Sequence, residues 1–162
     1  MIDCACGQVS LEARGAPMTC AICYCDDCQE AGRQIEALPG AAPVLDAEGG
    51  TGYVMFRKDR VRCVKGHSLL RPHKLRATSA TVRHVATCCN SAMLLNFEDG
   101  KHWADIYRSR YEPDVPPVQM RVCTRFRPQG PALPADVPAY ARYPVPLIAK
   151  LLRARVAMFF RR

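Results

Sequence analysis

The chain has 162 residues, 49% of them hydrophobic and 23% charged, a length that suits one domain able to fold without covalent staples. Its 10 cysteines are too small a share for a disulfide scaffold, and they cluster instead of spreading. The net charge of +8 is lopsided, because residues 137–162 hold Arg142, Lys150, Arg153, Arg155, Arg161 and Arg162 and no acid; the body is nearly balanced, which argues against a phosphate-reading surface and so against a nucleic-acid partner.

In chain order, the opening MIDCACGQVS lacks the basic and apolar regions of a signal peptide, so a cytoplasmic, reducing location is expected. There, cysteine clusters serve metals or catalysis and not disulfides. The stretch CACGQVSLEA alternates like a strand, with Val9 and Leu11 on one face and Gln8, Ser10 and Glu12 on the other, and RGAP reads as a turn. DDCQEAGRQIEAL predicts a short helix with Ala31, Ile35 and Leu38 on one face, ended by Pro39-Gly40 and weakened by Gly32. LDAEGGTG is turn chemistry before a YVMF strand. VRCVKGHSLLRPHKL predicts two strands around Gly66, and TVRHVATCCNSAMLLNF a pair bent at Cys89-Asn90-Ser91. VQMRVCTRF alternates from Val118 to Arg125. Prolines 113, 116, 117, 128, 131, 134, 138, 144 and 146 predict an extended, irregular wrap.

From Leu147 the pattern turns helical, with Ile148, Leu151, Leu152, Val156, Phe159 and Phe160 near one stripe and Lys150, Arg153 and Arg161 opposite. It is too short and too charged to span a bilayer. Packing on its own domain, contact with a protein partner and contact with an anionic membrane surface are all open to such a helix. The expected organisation is a zinc-binding β domain over 1–128, a proline-rich connection over 129–146 and a basic amphipathic helix over 147–162.

The cysteines carry the chemistry. Residues two apart on a strand face the same side, so Cys4 and Cys6 can offer two sulfurs, with Gly7 free to bend the chain beside a metal. Cys23, Cys25 and Cys28 form C-x-C-x-x-C, three thiolates in six residues, a density that suits a tetrahedral zinc ion. Thioredoxin-type redox chemistry lacks its βαβ context. Cys20 is either a fourth ligand or a core residue, while Cys63 and Cys123, alone in strand-like surroundings, read as buried core thiols.

Three ordered blocks, CxCGxV, CYCDDC and RHVATCCNSAM, resemble the glutathione-dependent formaldehyde-activating enzyme family, which also includes centromere protein V. The resemblance implies a mainly β, tent-like fold of short antiparallel strands with two zinc sites. In the family pattern an early CxC joins a late CxxC in a structural site, which maps onto Cys4, Cys6 and Cys89. Cys23, Cys25 and Cys28 match a catalytic site that keeps one zinc position for the thiol of a substrate adduct. Two departures stand out. Ala86 occupies the place of the first late cysteine, so that Cys88 substitutes for it or the site is incomplete, and Tyr24 replaces the histidine of CHC. This looks closest to a branch of the superfamily for which no reaction can be assumed.

The implied activity is a zinc-dependent carbon–sulfur lyase acting on a small thiol such as glutathione, or on its aldehyde adduct. A non-catalytic zinc-stabilised scaffold is the alternative. Asp26, Asp27, His67 and His73 are available for proton transfer by residue type, and His84 and His102 are either further ligands or ordinary strand residues.

Overall fold

The computed structural model describes residues 1–111, 114–130 and 132–160; Pro113, Pro131, Arg161 and Arg162 lie outside the described residues. Among the described residues, ten strands run in chain order as β1 (Ile2–Asp3), β2 (Ser10–Ala13), β3 (Thr19–Cys23), β4 (Thr51–Arg57), β5 (Val61–Lys65), β6 (Leu70–His73), β7 (Thr81–Ala86), β8 (Ser91–Phe97), β9 (Trp103–Tyr107) and β10 (Met120–Val122). Helix α1 spans Asp26–Glu36 and α2 spans Val145–Phe159. The protein is therefore mainly β, with a carboxy-terminal helix.

Seven strands form one sheet in the order β10-β3-β4-β9-β8-β7-β6, and three form a second in the order β1-β2-β5. Pairing is antiparallel throughout except for β10, which runs parallel to β3 with Val122 opposite Cys23. Because side chains alternate along a strand, the large sheet has two buried faces. Ala21, Cys23, Tyr53, Met55, Leu95 and Tyr107 pack together with Ile35 of α1 and Leu147 of α2. Cys20, Val54, Phe56, Leu94 and Ile106 pack instead with Ile2, Val9 and Leu11 around the small sheet. Strand β4 lies between the two cores and is buried at six of its seven positions.

Several local features have clear causes. Cys25 caps α1, which begins with Asp26 and Asp27, acids that suit the positive end of the helix dipole. Gly32 lies inside α1 because a Cβ there would overlap the Leu45 side chain, its Cγ at 2.7 Å, so the close approach of that loop outweighs the weak helix propensity of glycine. Asp46 Oδ1 accepts the backbone N–H groups of Glu48 and Gly50 and shapes the turn into β4.

Two strand expectations need correction. Cys4 to Gly7 is a tight turn and not a strand: the Gly7 N–H donates to the Cys4 carbonyl at 2.9 Å, and Gly7 has φ +70°. The alternation from Val118 to Arg125 yields only Met120–Val122, because β10 is buried on both faces and Cys123 leaves the strand at φ +60°. The proline-rich chain beyond it lies along β10, with the Arg121 N–H donating to the Pro138 carbonyl and the Arg121 guanidinium 2.6 Å from Asp136.

Helix α2 packs on its own domain, but not by the face its apolar stripe suggested. Leu147 and Ala154 are the buried positions, whereas Ile148, Leu152, Val156 and Phe159 are exposed. Polar anchors hold it: the His102 Nε2–H donates to the Leu151 carbonyl at 2.7 Å, and Lys150 Nζ reaches Gln119 Oε1 at 2.8 Å.

Candidate metal centres

The sulfurs of Cys23, Cys25 and Cys28 all lie within 4.8 Å of one another. The end of β3 and the start of α1 bring them together. Cys23 ends β3, Cys25 is the helix cap, and Cys28 lies in the first turn of α1, where its N–H donates to the Cys25 carbonyl at 3.0 Å. The Cys25 thiol is held well below its ordinary range, first by the hydrogen bond from Cys23 and then by that from Cys28. The Cys23 thiol is raised, first through its hydrogen bond to Cys123 and then through those to Cys25 and Cys28. One thiolate among crowded thiols is what such a cluster supports unaided. Ionising the others needs a cation, and thiolates are the form that binds a soft divalent ion.

Tyr24 fixes the spacing of Cys23 and Cys25. It is fully buried, its carbonyl accepts Gln29 Nε2–H at 2.6 Å, and its ring lies against Gly50. A methyl at residue 50 would overlap the Ile22 side chain and stand 2.7 Å from the Tyr24 ring. Gly50→Ala is therefore expected to cost about 1–3 kcal/mol of stability. The loss should register as a lower urea midpoint, accompanied by weaker metal retention because the ring carries the two cysteines on either side of it.

The three sulfurs open onto a cavity of about 440 Å³ between the large sheet and α2. Phe97 and Trp103 form an aromatic wall, their rings 5.3 Å apart, and Leu147, Ile148 and Leu151 close the other side. Two buried charged groups face it. Arg83 is 1% exposed, donates from Nη2 to the Asp27 carbonyl at 2.9 Å, contacts the Cys28 sulfur, and has no hydrogen-bond partner for Nε. Asp105 is buried with Oδ1 unpartnered; burial raises its carboxyl to about 7, against the pull of the Trp103 indole. Unsatisfied buried polar atoms are costly, and they concentrate where a ligand completes them.

On the other face of the sheet, Cys4, Cys6, Cys88 and Cys89 form a second cluster. Cys4 and Cys6 come from the turn after β1, and Cys88 and Cys89 from the turn joining β7 to β8, where Asn90 has φ +52°. A tetrahedral zinc ion with thiolates at about 2.3 Å sets its sulfurs about 3.8 Å apart. The separations here are 3.6 Å for Cys4 to Cys6, 3.8 Å for Cys4 to Cys88 and 3.9 Å for Cys88 to Cys89, so the four sulfurs fit such an ion with little movement. Donors suited to thiolates surround them. The Val9 N–H points at Cys4 Sγ at 3.2 Å. Burial raises the Cys89 thiol, but hydrogen bonds from Ser91 and from the backbone of Cys6 and Ser91 outweigh it and bring it to about 6. Cys88 thus lies with Cys4, Cys6 and Cys89 in one cluster, whereas Ala86 is buried at the end of β7.

The remaining candidates fall elsewhere. Cys20 faces the opposite core from Cys23, its thiol 3.7 Å from the Pro116 carbonyl, which removes it as a fourth ligand for that cluster. Cys63 is half-buried and points at the Lys65 carbonyl. Asp27 lines the cavity, whereas Asp26, His67, His73 and His84 do not. His102 is committed to α2. Reasoning from sequence missed Arg83, Asp105 and Tyr143 in the cavity wall, and missed that Cys123 shares a core with Cys23. The available signal was a lone charge inside an otherwise apolar strand, as in WADIY and TVRHVA.

Residues 1–43 match the family model described as "Glutathione-dependent formaldehyde-activating enzyme" (GFA). That segment contains Cys4, Cys6, Cys23, Cys25 and Cys28 and ends well before Cys88. No curated protein matches the chain significantly. Among solved structures, a crystal structure of a Rhodobacter sphaeroides protein matches with a TM-score of 0.50 at 14% identity, covering 85% of this chain and 96% of that one. It shows a shared fold. Among the described residues, no helix is long and apolar enough to cross a membrane.

Proposed function

We propose that this chain, a GFA-like superfamily member of low identity by its first 43 residues and its fold, binds zinc at both clusters and cleaves or forms the carbon–sulfur bond of a small thiol–aldehyde adduct. The observation that carries this reading is the opening of three convergent cysteine sulfurs onto a cavity that also presents a buried guanidinium and a buried, half-partnered carboxyl. Its volume of about 440 Å³ lies within the range of about 300–1,000 Å³ typical of small-molecule sites.

In this reading Cys4, Cys6, Cys88 and Cys89 hold a structural ion, and Cys23, Cys25 and Cys28 hold the one at the cavity. Zinc, when bound there, supplies Lewis acidity that stabilises a thiolate at neutral pH. The chain's own groups do the rest. Arg83 offers its free Nε–H to a carboxylate of a peptide-like thiol such as glutathione, and Lys101 lies at the same wall. Phe97 and Trp103 exclude water from the reacting carbon. Asp105 accepts the hydroxyl proton of a thiohemiacetal as its C–S bond breaks, so that the sulfur leaves as thiolate and the carbon as free aldehyde; in the reverse direction the same carboxyl returns the proton. A reducing, cytoplasmic setting keeps such thiols available.

Zinc analysis tests the site and turnover tests the chemistry. Wild type is expected to hold about two ions per chain and Cys25→Ser about one, since each cluster binds one tetrahedral ion. Wild type should also accelerate exchange between formaldehyde and glutathione over the uncatalysed rate in magnetisation-transfer NMR, and Cys25→Ser should not. Two ions with no acceleration would leave a zinc-stabilised scaffold.

A further inference from the structure

We propose that α2 docks, by the face it turns away from the domain, on a membrane surface rich in anionic lipid. The proposal goes beyond the reading of the cysteines and does not depend on it. Helix α2 is attached along one side. Leu147 and Ala154 are buried, Leu151 lines the cavity, and the bonds from His102 and Lys150 hold the same side to the sheet. On a helix of 3.6 residues per turn, Val145, Ile148, Leu152, Val156 and Phe159 fall within an arc of about 80°, opposite Leu147 and Ala154. Their exposure runs from 46% at Ile148 to 78% at Val145, and Phe160 extends the row past the end of the helix. At a rise of about 1.5 Å per residue this stripe is about 20 Å long. Single exposed apolar residues are ordinary, but a continuous row of them on one face marks a contact surface.

Charge selects the occupant. Arg153 and Arg155 are exposed and lie on opposite flanks of the stripe, Arg155 with its guanidinium 5.5 Å from the Phe159 ring. Arg142 is exposed just before the helix, and residues 137–162 contain no acid. Among the described residues neither Arg153 nor Arg155 has an ion pair. Two copies packed stripe to stripe would bring these arginines together with no acid on either helix to offset them, which disfavours a second copy of the chain. An acidic protein would need a groove about 20 Å long shaped to these side chains.

An anionic bilayer meets both features at once. The apolar face of an in-plane helix sinks about 5–10 Å into the boundary between headgroups and acyl chains, while basic residues on its flanks reach the lipid phosphates. At 15 residues α2 is too short to cross the bilayer, so it lies on the surface. Ile148 belongs both to the stripe and to the cavity wall, and docking therefore sets the cavity beside the lipid.

Flotation of the zinc-loaded full chain with vesicles tests this. Wild type is expected to float with phosphatidylcholine vesicles containing about 30% phosphatidylserine and not with pure phosphatidylcholine, and binding should weaken as salt is raised. Replacing both arginines, Arg153→Gln with Arg155→Gln, should weaken it about 30-fold, since each basic residue near such a surface contributes about fivefold. Leu152→Glu, in the middle of the stripe, should abolish it while zinc content and thermal midpoint stay the same; Val156→Glu takes its place if that variant does not fold. Wild type that ignores the anionic vesicles would overturn the proposal, and so would equal flotation of wild type and Leu152→Glu. Sedimentation equilibrium without lipid completes the test. Monomers of both chains are expected, whereas a wild-type dimer that Leu152→Glu splits would assign the stripe to a second copy and overturn the membrane reading.

Discussion

Cys89→Ser is expected to lower the thermal midpoint of the zinc-loaded protein by about 10 °C and to release one of its two ions. The four-cysteine cluster joins the turn after β1 to the β7–β8 turn, residues 84 apart in the chain. Besides the cluster, the Ala5 N–H ties the two turns by donating at 3.0 Å to Ser91 Oγ, a hydroxyl that Cys89 Sγ approaches to 3.1 Å within its own turn. Structural zinc contributes about 10–16 kcal/mol of apparent binding energy in small zinc peptides, and that energy is folding energy where the unfolded chain has no preformed site. Losing one of four thiolates is expected to forfeit about 3–5 kcal/mol, and in a chain of this size each kcal/mol moves the midpoint by about 2–4 °C. Cys63→Ser is the control, since that thiol is half-buried and bonded only to a nearby carbonyl. Calorimetry with parallel zinc analysis checks the pair. Equal midpoints and two retained ions would show that Cys89 ligates nothing.

The parts of this architecture that were legible in sequence are those whose chemistry is local. C-x-C-x-x-C could be read because three sulfurs within six residues have few uses, and the structure brings them together at the mouth of α1. The turns at Gly66 and Asn90 were marked by glycine or asparagine, residues that tolerate positive φ, whereas the turn ending at Gly7 was hidden by an alternation that looked like a strand. Cys20 could have been set aside from sequence by parity: it stands three residues before Cys23 in one strand, and odd separations face opposite sides. Cys123 could not have been placed, because its position depends on a parallel pairing between residues about a hundred apart and on a backbone turn that no local pattern marks. Cys88 is intermediate. Its neighbour Cys89 fitted the family spacing, but only the fold of the turn shows its sulfur 3.8 Å from that of Cys4. The tail misled for a related reason. Its apolar stripe was real, yet what an amphipathic helix buries depends on the surface available, and the rim of the cavity selected Leu147 and Leu151.

Asp105→Asn is expected to flatten the pH dependence of stability by about 2.5 kcal/mol between pH 5 and pH 8. Burial holds the folded carboxyl at about 7, whereas its ordinary value is 3.8. Between those values the folded chain keeps a proton that the unfolded chain has lost, so stability falls as pH rises. The loss begins near the ordinary value and is complete once pH passes about 7; at about 1.4 kcal/mol per unit it amounts to about 4.5 kcal/mol in full, part of it already incurred by pH 5. Urea midpoints of wild type and Asp105→Asn at both pH values isolate this group, since every other titration is common to the two chains. Parallel profiles would show that the carboxyl is not buried as described. The same proton bears on function. A carboxyl held near neutrality, with one oxygen unpartnered in the cavity, can both take and return a proton at physiological pH, which an ordinary surface aspartate cannot do efficiently. Adduct cleavage by wild type should therefore rise through a limb near pH 7 as Asp105 ionises. In Asp105→Asn that limb should vanish and the rate should fall by about 10²–10⁴, the usual contribution of a positioned general base, while the zinc content of the protein stays the same.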